Sequence, residues 1–129
     1  VEIIQAIRRR LGKDFVLSLR LGGSDYMDGG AVCAEVGQAA KLFEAAGLDM
    51  LSLSGGMSFF FRPGHTEAGY FAELAEAAKT GTPLPVMLTG GIADGAEAET
   101  FLEKGQADLI GIGRAALRDH QIYQKILSM

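Results

Sequence analysis

Between Pro85 and Asp119 one device occurs twice: a short apolar run breaks at glycine and passes straight into a helix-like segment. Val86-Met87-Leu88 ends at Gly90-Gly91, and Leu109-Ile110-Gly111-Ile112 ends at Gly113-Arg114. A strand that feeds a helix must return along that helix before the next strand begins, so the repeat calls for parallel βα units. It also aims backbone N–H groups from two turns at one place, where a helix N-terminus and the Arg114 guanidinium add positive charge. That combination suits a phosphate dianion. In (βα)8 barrels the loops after strands seven and eight commonly form such a cup at the C-terminal mouth. On the plainer reading Gly-Gly only turns the chain and Gly113 eases helix–strand packing. Two such turns in series, the second followed by arginine, favour the phosphate site.

The rest of the chain supplies more units of the same kind. Ile3, Ile4, Ile7 and Leu11 recur at helical spacing before Gly12, which predicts a helix over residues 1–12. Phe15 to Leu21 reads as a strand with Leu17, Leu19 and Leu21 on one face and Val16, Ser18 and Arg20 on the other. An arginine on a buried strand is costly unless it meets an anion or a polar ring. Arg20 therefore either pairs with a core carboxylate or contacts a ligand at the strand's end. A helix is expected from Val32 to Ala46, a strand from Leu48 to Ser54, and a long loop from Met57 to Thr66. Phe59, Phe60 and Phe61 in that loop, beside Arg62, either line a ligand mouth or pack the loop on itself or a partner. A helix from Glu67 to Lys79 leads to the third strand at Pro85. Asp94 caps the next helix, with Glu97 as its capping-box partner. Asp108 then leads the fourth strand, and two short helices follow, from Ala115 and Gln121.

The order is thus one helix and then four βα units, within 129 residues. A complete (βα)8 barrel takes roughly 200 residues or more. The chain is expected to be a single domain or a fragment, the latter because it opens at Val1 inside a helical pattern. Net charge is −4 and Arg8-Arg9-Arg10 is the sole basic cluster, which argues against nucleic acid as a partner. Those arginines fall at a helix C-terminus, where cations are favoured. Cys33 is the single cysteine, so neither an intrachain disulfide nor a multi-cysteine metal site can form. No apolar run reaches membrane-span length and no signal-peptide pattern is present, so a cytoplasmic home is expected.

Taken together, Leu19-Arg20-Leu21, Asp25-Tyr26, Asp28-Gly29-Gly30, Ala46-Gly47-Leu48-Asp49, Ser52 to Gly56, Thr89-Gly90-Gly91-Ile92 and Ala107 to Arg114 closely resemble the old yellow enzyme family. These are FMN-dependent NADH:flavin oxidoreductases built on (βα)8 barrels, and the resemblance covers the C-terminal half of that barrel. It implies FMN as cofactor and NADH or NADPH as reductant. Arg20 then resembles the strand-five arginine that reaches the flavin's pyrimidine edge, where a fixed cation favours the reduced, anionic ring. Gly90 and Gly91 match the backbone amides on the FMN phosphate, Gly113 and Arg114 the second phosphate arm. Met57 falls where loop six approaches the flavin's rim.

The family's substrate-binding His pair, proton-donating Tyr and first flavin contacts belong to the other half. His65 and His120 match neither motif, so no catalytic residue and no metal ligand is assigned. The resemblance thus implies the FMN-binding half of an ene-type oxidoreductase, inactive alone. Two other readings stand beside it: a stand-alone half-barrel that binds a phosphorylated ligand without catalysis, and an open flavodoxin-like parallel sheet with helices on both faces. In a half-barrel one sheet face is left bare, which predicts a homodimer or a complex with the missing N-terminal half.

Overall fold

A computed structural model describes residues 1–128. The elements are α1 (Glu2–Leu11), β1 (Ser18–Ser24), a 3-10 turn (Cys33–Glu35), α2 (Val36–Ala45), β2 (Met50–Gly55), α3 (Ala72–Gly81), β3 (Val86–Thr89), α4 (Gly95–Glu103), β4 (Leu109–Gly111), α5 (Arg114–Arg118) and α6 (Ile122–Leu127). The strands form one parallel sheet in the order β1-β2-β3-β4. Strand order follows chain order without reversal. That is a run of four βα units from a barrel, and it lacks the switch point that a flavodoxin-like sheet needs.

Alternation along the strands decides which face is covered. Leu51, Leu53, Val86 and Leu88 are wholly buried, and Leu19 and Leu21 join them against Val36, Ala40, Leu74, Ala75 and Ala78 from α2 and α3. Helices α2 and α3 approach backbone to backbone, since a Cβ on Gly37 would lie 2.9 Å from the Ala77 carbonyl oxygen. The opposite sheet face carries Ser18, Arg20, Ser52, Ser54, Met87 and Thr89. This face mixes polar and apolar groups: Ser52 and Ser54 are buried, while Leu109, in register with Met87, is exposed.

Two aspartates close the sheet at its N-terminal edge by one geometry. Asp49 accepts the Leu17 N–H at 2.7 Å and pairs with Arg8 at 2.5 Å. Asp108 accepts the Val86 N–H at 2.9 Å and pairs with Lys79 at 2.6 Å. Each residue just ahead of a strand thus ties down the start of the strand before it. Arg8 is more than a helix-end cation, because Nε also donates to the Gly47 carbonyl at 2.9 Å and Nη1 to that of Phe15 at 2.6 Å.

Both carboxyls are held below the ordinary aspartate value of 3.8. At Asp49 the Leu17 N–H is the main cause and Arg8 adds to it. At Asp108 desolvation pushes upwards, but the hydrogen bonds from Lys79 and Val86 together outweigh it. A depressed folded-state value stabilises the fold fully above the unfolded value and loses that contribution as pH falls through the folded one. Melting temperature should therefore hold down to about pH 4 and fall below it. The Asp49→Asn variant should show a shallower acid slope in a thermal scan, and an unchanged slope would count against this clamp.

Candidate phosphate and flavin site

The C-terminal ends of β3 and β4 open into one cavity of about 540 Å³, which Arg20 of β1 also lines. Ligand clefts commonly measure about 300–1,000 Å³. Arg20, Thr89, Gly90, Gly91, Gly113 and Arg114 all line it. The two glycine turns seen in the sequence thus lie side by side, as the hydrogen-bonded pairing of β3 with β4 requires.

Gly90 and Gly91 take φ of 116° and 74°, the left-handed region that side chains resist. Close packing also demands glycine there, because a Cβ would lie 2.8 Å from Tyr70 Cε2 at Gly90 and 2.7 Å from the Glu67 carbonyl oxygen at Gly91. The plainer reading of Gly-Gly as a turn is therefore part of the truth. The turn nevertheless leaves the N–H groups of Gly90, Gly91 and Gly113 without an acceptor among the described residues. Behind them α4 begins at the Asp94 cap, which accepts the Glu97 N–H at 2.8 Å, while the Glu97 carboxylate takes the Ala93 N–H at 2.9 Å.

Arg20 projects from the open face, where Nε donates to Ser54 Oγ at 3.3 Å. Among the described residues it has no carboxylate partner, so the ion-pair alternative is not realised. Arg114 reaches across the cavity end. Its Nη2 donates to Tyr70 Oη at 2.7 Å, and Cζ lies 5.5 Å from the Phe60 ring centroid.

Met57 is not brought to the cavity. Its N–H is bound to Asp25 Oδ1 at 2.7 Å and its side chain is exposed. The Phe59-Phe60-Phe61 run divides: Phe60 lines the cavity, whereas Phe61 packs edge-on against Phe60 at 5.8 Å. Arg62 serves the loop itself, donating to the Tyr70 carbonyl at 3.2 Å and pairing with Glu73 at 3.0 Å.

Among the cavity residues without a role in the sequence reading are Tyr70, Arg118 and Tyr123. Arg118 had a usable signal, since it follows Arg114 by four residues on a helix starting at the second glycine turn, which sets both on one face. Tyr70 had none. It falls inside a helix-like stretch, and its place depends on Gly69, whose N–H donates to the Gly90 carbonyl at 2.7 Å and pins the chain to β3 before α3 can start.

Fold and site together define four consecutive βα units, half of a (βα)8 barrel, whose strand ends form a mouth lined by open amides and guanidinium groups. The chain belongs to the NADH:flavin oxidoreductase / NADH oxidase family, whose model matches residues 1–128. It is 32% identical over 123 residues to an NADH oxidase of Thermoanaerobacter brockii, covering 92% of this chain and 19% of that protein. An NADPH dehydrogenase of Bacillus subtilis is 35% identical over 106 residues, covering 82% of this chain and 31% of the other. The solved structure of a 2-naphthoyl-CoA reductase in complex with 2-naphthoyl-CoA superposes with a TM-score of 0.85 at 27% identity, over 98% of this chain and 20% of that one. The chain spans less than a third of the length of these relatives.

FMN is the cofactor of this family, and NADH or NADPH its reductant. The residues present fit the phosphate of such a group: unpaired amides from two turns, one guanidinium beside them, and a second guanidinium further along the same cavity. Among the described residues no helix is long and apolar enough to cross a membrane.

Proposed function

We propose that this chain is the FMN-binding half of an NAD(P)H-dependent flavin oxidoreductase of the ene-reductase type. The observation that carries the reading is the meeting of Gly90, Gly91, Gly113, Arg114 and Arg20 around one cavity, with the glycine amides unpaired. Bound FMN supplies hydride transfer from reduced nicotinamide to an activated alkene. The chain's own residues bind and orient. The Gly90, Gly91 and Gly113 N–H groups and Arg114 hold the phosphate by charge-assisted hydrogen bonds. Arg20, on the strand face that looks into the cavity, sets a fixed positive charge towards the ring's pyrimidine edge, which favours the reduced anion. The remaining half of the barrel covers the open face and brings the proton donor and the substrate anchor, since the cavity lining here contains no histidine or carboxylate.

Titration with FMN, with riboflavin and with phosphosugars tests the assignment, and turnover tests the division of labour. FMN should bind in preference to phosphosugars and show the yellow flavin spectrum. The 129-residue chain alone should show no enone-dependent NADH or NADPH oxidation. Steady turnover by the clean chain would overturn the division into halves. Phosphosugar binding with indifference to FMN would favour the non-catalytic module.

A further inference from the structure

We propose that Tyr70 is the positioning residue of the phosphate end: its hydroxyl holds the Arg114 guanidinium in place, and so makes the cavity prefer a phosphorylated flavin to the same flavin without phosphate. The proposal rests on the FMN reading above and deepens it.

Tyr70 is only 4% exposed, and its ring lies against the turn that follows β3. The ring fills the space that the missing Cβ atoms of Gly90 and Gly91 leave, and it meets Phe71 edge-on at 4.7 Å. Its hydroxyl proton goes to the Phe60 carbonyl. Having one proton to give, the hydroxyl meets Arg114 as an acceptor, and Nη2 donates to it at 2.7 Å. Phe60 thus takes part twice, receiving the hydroxyl through its carbonyl and lying under the guanidinium through its ring. The assembly is anchored from behind, because Arg62 donates to the Tyr70 carbonyl and is itself paired with Glu73.

A free arginine side chain carries rotamer entropy that an incoming anion must remove, and a guanidinium held in place beforehand avoids that cost. Arg114 gives Tyr70 a single N–H, so its other donors remain for a phosphate. A hydroxyl that acts only through Arg114 should matter to a phosphorylated ligand and to no other. A hydroxyl that merely supports the fold should affect every ligand alike.

The experiment is a double-mutant cycle of Tyr70→Phe and Arg114→Ala in the full protein, reading dissociation constants for FMN and riboflavin together with melting temperature. Tyr70→Phe keeps the ring against Gly90 and Gly91 and removes the hydroxyl alone. FMN affinity should fall about tenfold, riboflavin affinity should stay within about twofold, and in the Arg114→Ala background the tyrosine change should add nothing. Equal losses for both flavins, or a full tenfold loss in the Arg114→Ala background, would overturn the role of Tyr70. Equal affinity of the unaltered protein for FMN and riboflavin would instead overturn the phosphate assignment beneath it. Arginine side-chain NMR of the unaltered protein adds a test that needs no variant to fold. Separate Nη resonances for Arg114 support a held guanidinium, and one averaged resonance contradicts it.

Discussion

Replacing Phe71 with alanine should destabilise the chain by about 3–5 kcal/mol, the cost of emptying a large, fully enclosed aromatic site. Phe71 is 1% exposed and lies beneath two strand ends at once: a Cβ on Gly55 would come within 3.2 Å of its ring, and one on Gly90 within 3.0 Å. It also stacks with Tyr26 at 6.1 Å and meets Tyr70 edge-on. The cavity left behind is bordered by backbone that already runs in sheet, so it has little freedom to collapse. Melting temperature should fall by roughly 10 °C or more. A loss of only a few degrees would show that the ends of β2 and β3 are supported by something other than this ring. Because Tyr70 leans on Phe71, flavin binding should weaken in the same variant even where it remains folded.

The second large effect belongs to Gly91→Val. Valine is asked to take φ of 74°, and its Cβ would lie 2.7 Å from the Glu67 carbonyl oxygen and 3.0 Å from the Tyr70 ring. Backbone strain and overpacking each cost about 1–3 kcal/mol, so about 2–6 kcal/mol is expected together. Against a typical total of about 5–15 kcal/mol, part of the population should unfold at moderate temperature. FMN binding should be lost in the folded remainder, since the turn cannot shift away from Tyr70 and still aim its amides at the cavity. Thermal melting combined with flavin fluorescence separates the two losses. Stable protein that binds FMN normally would show that neither the left-handed turn nor its contact with Tyr70 matters.

The parts of the fold that were legible in the sequence are those set by local chemistry. Parallel strands in chain order follow from apolar runs that alternate with helical spacing, and the Asp94 cap with Glu97 was found where the pattern put it, though Glu97 reaches the Ala93 N–H rather than that of Asp94. Boundaries moved wherever a long-range partner intervened. The first strand was expected at Phe15 to Leu21 and runs from Ser18 to Ser24. At its start the Leu17 N–H goes to the Asp49 carboxylate instead of to the ladder. At its end Gly22 and Ser24 continue to pair with Ser54 and Gly55, because Gly22 and Gly56 allow the two backbones to come close. Likewise α3 begins at Ala72 rather than Glu67, held back by the Gly69 bond to β3.

The site divides along the same line. That Gly90, Gly91, Gly113 and Arg114 meet at one cavity was readable because turns built mainly from backbone show their needs as glycine. Arg20 was readable because a charge on a strand is conspicuous. Met57 lies outside the cavity, since its position on the loop depends on Asp25, a residue more than thirty positions earlier whose carboxylate also binds the Ala31 N–H. Tyr70 could not be read at all. It meets Arg114 across 44 positions, and nothing in its immediate neighbours announces that contact.

The central claim is that the turns after β3 and β4 hold the phosphate of FMN while Arg20 faces its ring. A crystal structure of the full protein with FMN bound tests it most directly. The phosphate oxygens should lie within hydrogen-bond distance of the Gly90, Gly91 and Gly113 N–H groups and of the Arg114 guanidinium, with Arg20 beside the pyrimidine edge. A phosphate bound elsewhere, with these amides open to water and Arg20 turned away from the ring, would contradict it.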